Sequence, residues 1–91
     1  MSAQRILKYP LEYTETPTVV RCRFSKLLDI QEQNRKTFAW ILTDESAEER
    51  DVTLVPIGTG WFLTSEMLDG MEYVKTVQDS FGYVWHYFLK S

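Results

Sequence analysis

The chain holds one histidine, His86, and one cysteine, Cys22. Metal chemistry needs three or four ligands of suitable type. One His and one Cys far apart in the sequence leave only carboxylates to complete such a set, so neither a metal nor another cofactor is expected. A nucleophile–base pair needs a Ser, Thr or Cys beside the imidazole, and nothing adjacent to His86 in "YVWHYF" supplies one. His86 therefore reads as a half-buried histidine that bonds a neighbouring strand or lines a pocket. Cys22 sits in Arg21-Cys22-Arg23, and two cations beside a thiol would lower its pKa. On an extended chain, however, adjacent side chains point to opposite faces, so Cys22 reads as a small apolar filler.

Gly58-Thr59-Gly60 follows a strand-like run, as phosphate-binding loops do. Those loops open a helix whose first amides hold the anion, and Trp61-Phe62-Leu63 is a poor helix start. Two glycines around Thr59 serve more simply as a turn or bulge needing positive φ. The functional reading is that exposed amides at Gly58, Thr59 and Gly60, with Trp61 as a stacking face, hold a nucleotide-like ligand. Trp40 and Trp85 read as core. Trp61, at a loop start, reads as a binding anchor. Asp44, Glu45, Glu48, Glu49 and Asp51 make an acidic run that reads first as a solvated loop. Its functional readings are a general acid/base pair, a cation site or a patch for a basic partner, with Glu48 and Glu49 joining Gly58, Thr59, Gly60, Trp61 and His86 as the candidate binding residues.

The elements that must position these groups are short alternating runs separated by polar turns. Arg5–Tyr13 alternates, and Pro10 makes it an edge strand or a broken one. Thr16-Pro17 in "TETPTVV" is a boundary. "FSKLLDIQEQN" has two readings. Ser25 could cap a helix with Leu27, Leu28 and Ile30 on one side, or the run is a strand. The strand is favoured because "TFAWILT" follows after the turn-sized "QNRK", which makes a hairpin. "DVTLVPI" alternates up to the Gly58-Thr59-Gly60 turn. "TSEML" gives one helical turn capped by Thr64 or Ser65 and ended by Gly70. "MEYVKTVQ", the turn "DSFG" and "YVWHYFL" form the second hairpin. The expected fold is a single small, mostly β domain over residues 1–91, of about six antiparallel strands with one short helical turn.

Composition is consistent with this. Hydrophobic residues make up 44% and charged residues 25%, ordinary for a globular protein, while 14% aromatics favour strands. A chain this size buries roughly 60–65% of its unfolded surface, enough for one modest core. A net charge of −3 is too mild for a protein that binds nucleic acid by neutralising phosphate. A lone cysteine forms no intrachain disulfide. No apolar run is long enough for a membrane helix and the N-terminal residues show no signal-peptide core, so a cytoplasmic location is expected. The last strand is apolar on both faces: Tyr83, Trp85, Tyr87 and Leu89 on one, Val84 and Phe88 around His86 on the other. Such a strand is central, covered by another element, or at a subunit contact, and a homodimer or higher oligomer is expected.

The motifs "ILKYPLE", "WILTD", "ERDVTLVPIGTG", "YVKTVQ" and "YVWHYF", in that order from Ile6 to Phe88, resemble a family of small proteins encoded mainly by tailed bacteriophages and prophages. This chain carries Trp61-Phe62 where that family has His-Pro after the Gly-Thr-Gly turn. The resemblance implies a phage or prophage origin and, by gene class, a small accessory protein that binds a bacterial host factor or neutralises an immune system. The expected function is thus non-catalytic: stoichiometric capture of a host protein or immune signal in the host cytoplasm. The alternatives are an oligomeric sponge for a nucleotide-like molecule and, last, a small hydrolase using His86.

Overall fold

In the computed structural model, which describes residues 3–12 and 15–91, seven strands and one short helix run in the order β1 (Gln4–Pro10), β2 (Thr18–Cys22), β3 (Phe24–Gln33), β4 (Lys36–Asp44), β5 (Arg50–Gly58), α1 (Ser65–Leu68), β6 (Met71–Gln78) and β7 (Val84–Lys90). The count is seven rather than about six, because "TVVRC" after the Thr16-Pro17 boundary forms a strand of its own. The first run ends at Pro10, short of the expected Tyr13; Tyr13 and the adjoining Thr14 lie outside the described residues. The ambiguous run is strand β3 and pairs with β4.

All neighbouring strands are antiparallel, in two sheets of order β1-β4-β3 and β2-β5-β7-β6. The molecule measures 45 × 34 × 16 Å, and the thin dimension fits two sheets stacked about 10 Å apart. Ile30, Ala39 and Ile41 of one sheet meet Val20, Cys22, Val52, Leu54, Val77 and Tyr87 of the other in a single core. Cys22 is the filler expected of it, and burial pushes its thiol pKa up. Trp40 departs from the core reading. Because Ala39 and Ile41 are wholly buried, alternation turns Trp40 outward, where it packs edge-on against Phe38 at 6.3 Å. Lys8 lies over the Phe38 ring at 4.5 Å.

Polar ties join the sheets. Lys75 Nζ on β6 reaches Asp29 Oδ1 on β3 at 2.6 Å, and the Ser80 amide donates to Glu32 at 2.8 Å. Thr37 hydrogen-bonds the Tyr87 phenol, whose pKa burial pushes up. The β3–β4 hairpin turns through Asn34 and Arg35, with φ of 52° and 67°. This is the left-handed pair that a two-residue type I′ turn demands.

The order β5-β7-β6 has a consequence for the site. β5 and β6 both pair antiparallel with β7, so they run the same way and the chain must cross β7 to join them. Residues 59–70, including α1, make that crossing over the outer face of the sheet. Leu63 and Met67 come beside Val55 and Ile57, and Leu63 beside His86 and Phe88. The two apolar faces of β7 are explained in part by its central place and in part by this cover. As expected, α1 is one turn: Thr64 caps it by accepting from the Met67 amide at 3.1 Å.

Two predictions follow from this architecture. Arg35 is a side-chain-bearing residue in left-handed geometry, so Arg35→Gly should stabilise the protein by about 0.5–1 kcal/mol, or roughly 2–8 °C in Tm, measured by circular-dichroism melting. The Lys75 hydrogen bond, helped by Gln31 and the Ile30 amide and opposed by burial, holds the Asp29 carboxyl below the usual carboxylate range. A group depressed in the folded state adds stability above its unfolded pKa, near 3.9, and loses it as pH falls through the folded value. Asp29→Asn should therefore cost about 0.2–1 kcal/mol at neutral pH and flatten the fall in Tm below about pH 4. An acid limb as steep as wild type's would show that this tie contributes nothing.

Candidate functional site

The end of β5 sets the geometry. Gly58 is buried, and the chain turns at once, with the Trp61 amide donating to the Gly58 carbonyl at 3.3 Å. Gly60 takes φ of +87°, the positive φ expected of the turn. Gly58 is needed for a different reason: a Cβ there would lie 2.5 Å from Trp61 Nε1. The indole thus folds back onto the space that a Gly58 side chain would fill. It also meets Trp85 edge to face, with centroids 5.8 Å apart at 84°.

Thr59 and His86 come together on the outer face of the sheet. Thr59 Oγ1 lies 2.8 Å from His86 Nε2, Thr76 Oγ1 lies 2.9 Å from Nδ1, and the Tyr73 hydroxyl lies 2.7 Å from Thr76 Oγ1. A neutral imidazole has one donor and one acceptor nitrogen, and hydroxyls serve as either, so the row is satisfied in both directions. The Thr59–His86 separation is that of a nucleophile–base pair. The group that orients the ring is the uncharged Thr76 hydroxyl, however, where the Ser-His-Asp arrangement uses a carboxylate to stabilise the imidazolium. What the row does mechanically is pin the Gly58–Trp61 turn to β7 and β6.

Beside this turn, the β6–β7 hairpin presents a third ring. Asp79 organises it by accepting from the amides of Phe81 and Tyr83, each at 2.9 Å, and from Trp85 Nε1 at 3.0 Å. Burial works against its charge, but the Trp85 indole and these amides hold its carboxyl below the usual range. Tyr83 tilts against Trp85 with centroids 6.3 Å apart at 46°. Trp61, Tyr83 and Trp85 line a recess with Gly58, Thr59, Val84, Gly82 and Glu15.

The structure thus groups Gly58, Thr59, Gly60, Trp61 and His86. Glu48 and Glu49 lie in the loop before Arg50, at the other end of β5, roughly 25 Å of strand away. Glu49 bonds Arg21 at 3.0 Å, and Arg21 also bonds Asp51 at 3.2 Å, so that run is partly neutralised. Among the described residues, no group of three or more His, Cys, Asp or Glu is placed to hold a metal ion. Residues that sequence reasoning passed over are Tyr83, Trp85, Glu15, Thr76 and Tyr73. Thr76 was not within reach: counting outward from "DSFG" sets it opposite Trp85, whereas the observed loop also takes in Tyr83, which shifts the register by one and places Thr76 opposite His86.

If Gly58 serves as the seat of Trp61, Gly58→Ala should cost about 1–3 kcal/mol by overpacking and much less in a Trp61→Ala background. Urea unfolding of the four proteins gives the coupling directly. An equal cost in both backgrounds would mean that the indole does not need the space.

A family model described as a domain of unknown function, DUF7352, matches residues 2–91. No curated protein and no solved structure matches the chain.

Proposed function

The chain is a member of the DUF7352 family, and we propose that it works as a non-catalytic binding protein that captures its target stoichiometrically through the aromatic end of the β2-β5-β7-β6 sheet. One observation carries this reading. Phe62 is 98% exposed, and Trp61, Phe81 and Tyr83 beside the same turns are 45%, 59% and 65% exposed. Scattered apolar residues on a surface need no explanation, but a cluster of large aromatic ones marks an interaction site. Aromatic anchors on a pinned turn lose little freedom on binding. The hydrogen-bonded row through His86 supplies the pinning, which gives the histidine a task that requires no turnover.

The likeness to proteins of tailed phages supports a phage accessory role, with a bacterial host protein or immune component as the target and the host cytoplasm as the setting. No helix of the described residues is long and apolar enough to cross a membrane. A nucleotide sponge is less favoured by the same recess, since Glu15 lines it and none of the described residues lining it is a cation to hold phosphate. Self-association would use the outer face of the other sheet, where Phe38, Trp40 and Leu42 lie between Ile6 and Leu28.

Phe62 has no packing role, so Phe62→Ser should leave Tm within about 2 °C of wild type. Immobilised wild-type protein should retain a bacterial partner at fixed stoichiometry through high-salt washing, and Phe62→Ser should lose at least roughly tenfold of it. Equal capture by both proteins, or multiple turnover of a substrate that disappears in a folded His86→Ala variant, would refute the proposal.

A further inference from the structure

The recess beneath the exposed rings has a chemistry of its own. It encloses ≈ 770 Å³ and is walled by rings set at wide mutual angles, Trp61 against Trp85 at 84° and Tyr83 against Trp85 at 46°. Such a corner offers more than one π face to the same guest, and the faces of aromatic rings are their negative side. Among the described residues that line it, Glu15 is charged and none is Lys, Arg or His. From behind, the Asp79 carboxylate accepts the Trp85 indole hydrogen at 3.0 Å, which pushes electron density onto that ring. An anion here would meet Glu15 with no counter-charge, and a neutral apolar group would gain from burial alone. A cation gains from both the rings and the carboxylates.

We infer that the Trp61–Tyr83–Trp85 corner is a cation-binding cage for an alkylammonium group, carried by a lysine side chain of the partner protein, methylated or not, with Glu15 as its counter-charge. This rests on the binding reading above and specifies what that surface grips. Several aromatic rings around one site are the arrangement by which proteins recognise quaternary and alkylated ammonium groups. Trp61 supplies the largest π face of any residue, and Gly58 lets it lie against the end of the sheet instead of swinging free. The partner's lysine would enter alongside Phe62, whose exposed ring would rest on apolar surface next to it.

The test needs no partner. Backbone and indole N–H resonances of the 15N-labelled protein are followed during titration with a short Gly/Ala peptide carrying a central lysine, its Nε-trimethylated form, and the same peptide with uncharged norleucine. Choline and its carbon isostere 3,3-dimethylbutan-1-ol form a second pair that differs in charge alone. The expected result is saturable movement of the Trp61 and Trp85 indole signals, with the charged member of each pair binding at least about fivefold tighter. Tyr83→Ala and Trp61→Ala should each weaken the charged ligand by about 3–30-fold, and Glu15→Gln by about 2–5-fold. Tyr83 is largely exposed, so its variant tests the cage even if loss of Trp61 disturbs the fold. Equal affinity for charged and neutral members, or no movement of either indole signal with choline at tens of millimolar, overturns the inference. Capture of a bacterial partner that depends on Phe62 while choline has no effect sinks the cage alone. Cation binding without any partner capture sinks the proposed function alone.

Discussion

Placing β7 between β5 and β6 is the constraint on which the rest depends. Two strands that run the same way cannot be joined by a tight turn; the chain must cross a sheet face, and such crossings take a dozen residues or more. Residues 59–70 do so with one helical turn that buries none of its residues. A crossing this thin neither covers the outer face of β7 fully nor hides its own side chains. The exposed Phe62 and the partly covered Phe88 and His86 follow from that economy, and so does the proximity of the crossing's first residues to β7.

The polar row through His86 is the second half of the same solution. A turn that must leave the sheet abruptly is held only at Gly58 by strand pairing, and the next residue has no ladder partner. Thr59 replaces the missing pairing with a side-chain hydrogen bond to His86, which Thr76 holds from the opposite side. Hydroxyl and imidazole groups suit the task because each accepts or donates as its neighbour requires. The arrangement leaves the imidazole nitrogens and the two threonine hydroxyls hydrogen-bonded on the outer face.

The two ends of the molecule contrast in charge management. Near Arg50, the single Arg21 guanidinium bridges two carboxylates, Glu49 and Asp51, at contact distance. Near Gly58, Asp79 accepts from indole and amide donors, and among the described residues no cation is hydrogen-bonded to it. This end of the sheet thus pairs a carboxylate held by neutral donors with aromatic rings, on a chain whose net charge is a modest −3.

What the sequence determined by itself is local. Alternation marked the strands, left-handed Asn34 fixed the first hairpin, "DSFG" fixed the second, and Thr64 announced the short helix. These features rest on backbone geometry within a few residues, which side-chain type controls directly. Thr76 facing His86 escaped such counting, because the second loop also takes in Tyr83 and shifts the register by one residue. Tertiary structure decided which face of an alternating strand turns inward: "TFAWILT" is apolar on both sides, and only close packing against the second sheet selects small Ala39 with Ile41 over the bulky Phe38 and Trp40. It also decided that β7 lies between β5 and β6, and hence that Thr59 reaches His86 and that Trp61 meets Trp85 and shares a recess with Tyr83. Backbone hydrogen-bonding groups are the same in every strand, so partner choice between distant segments depends on how their faces pack together, a property that no short stretch of the chain carries.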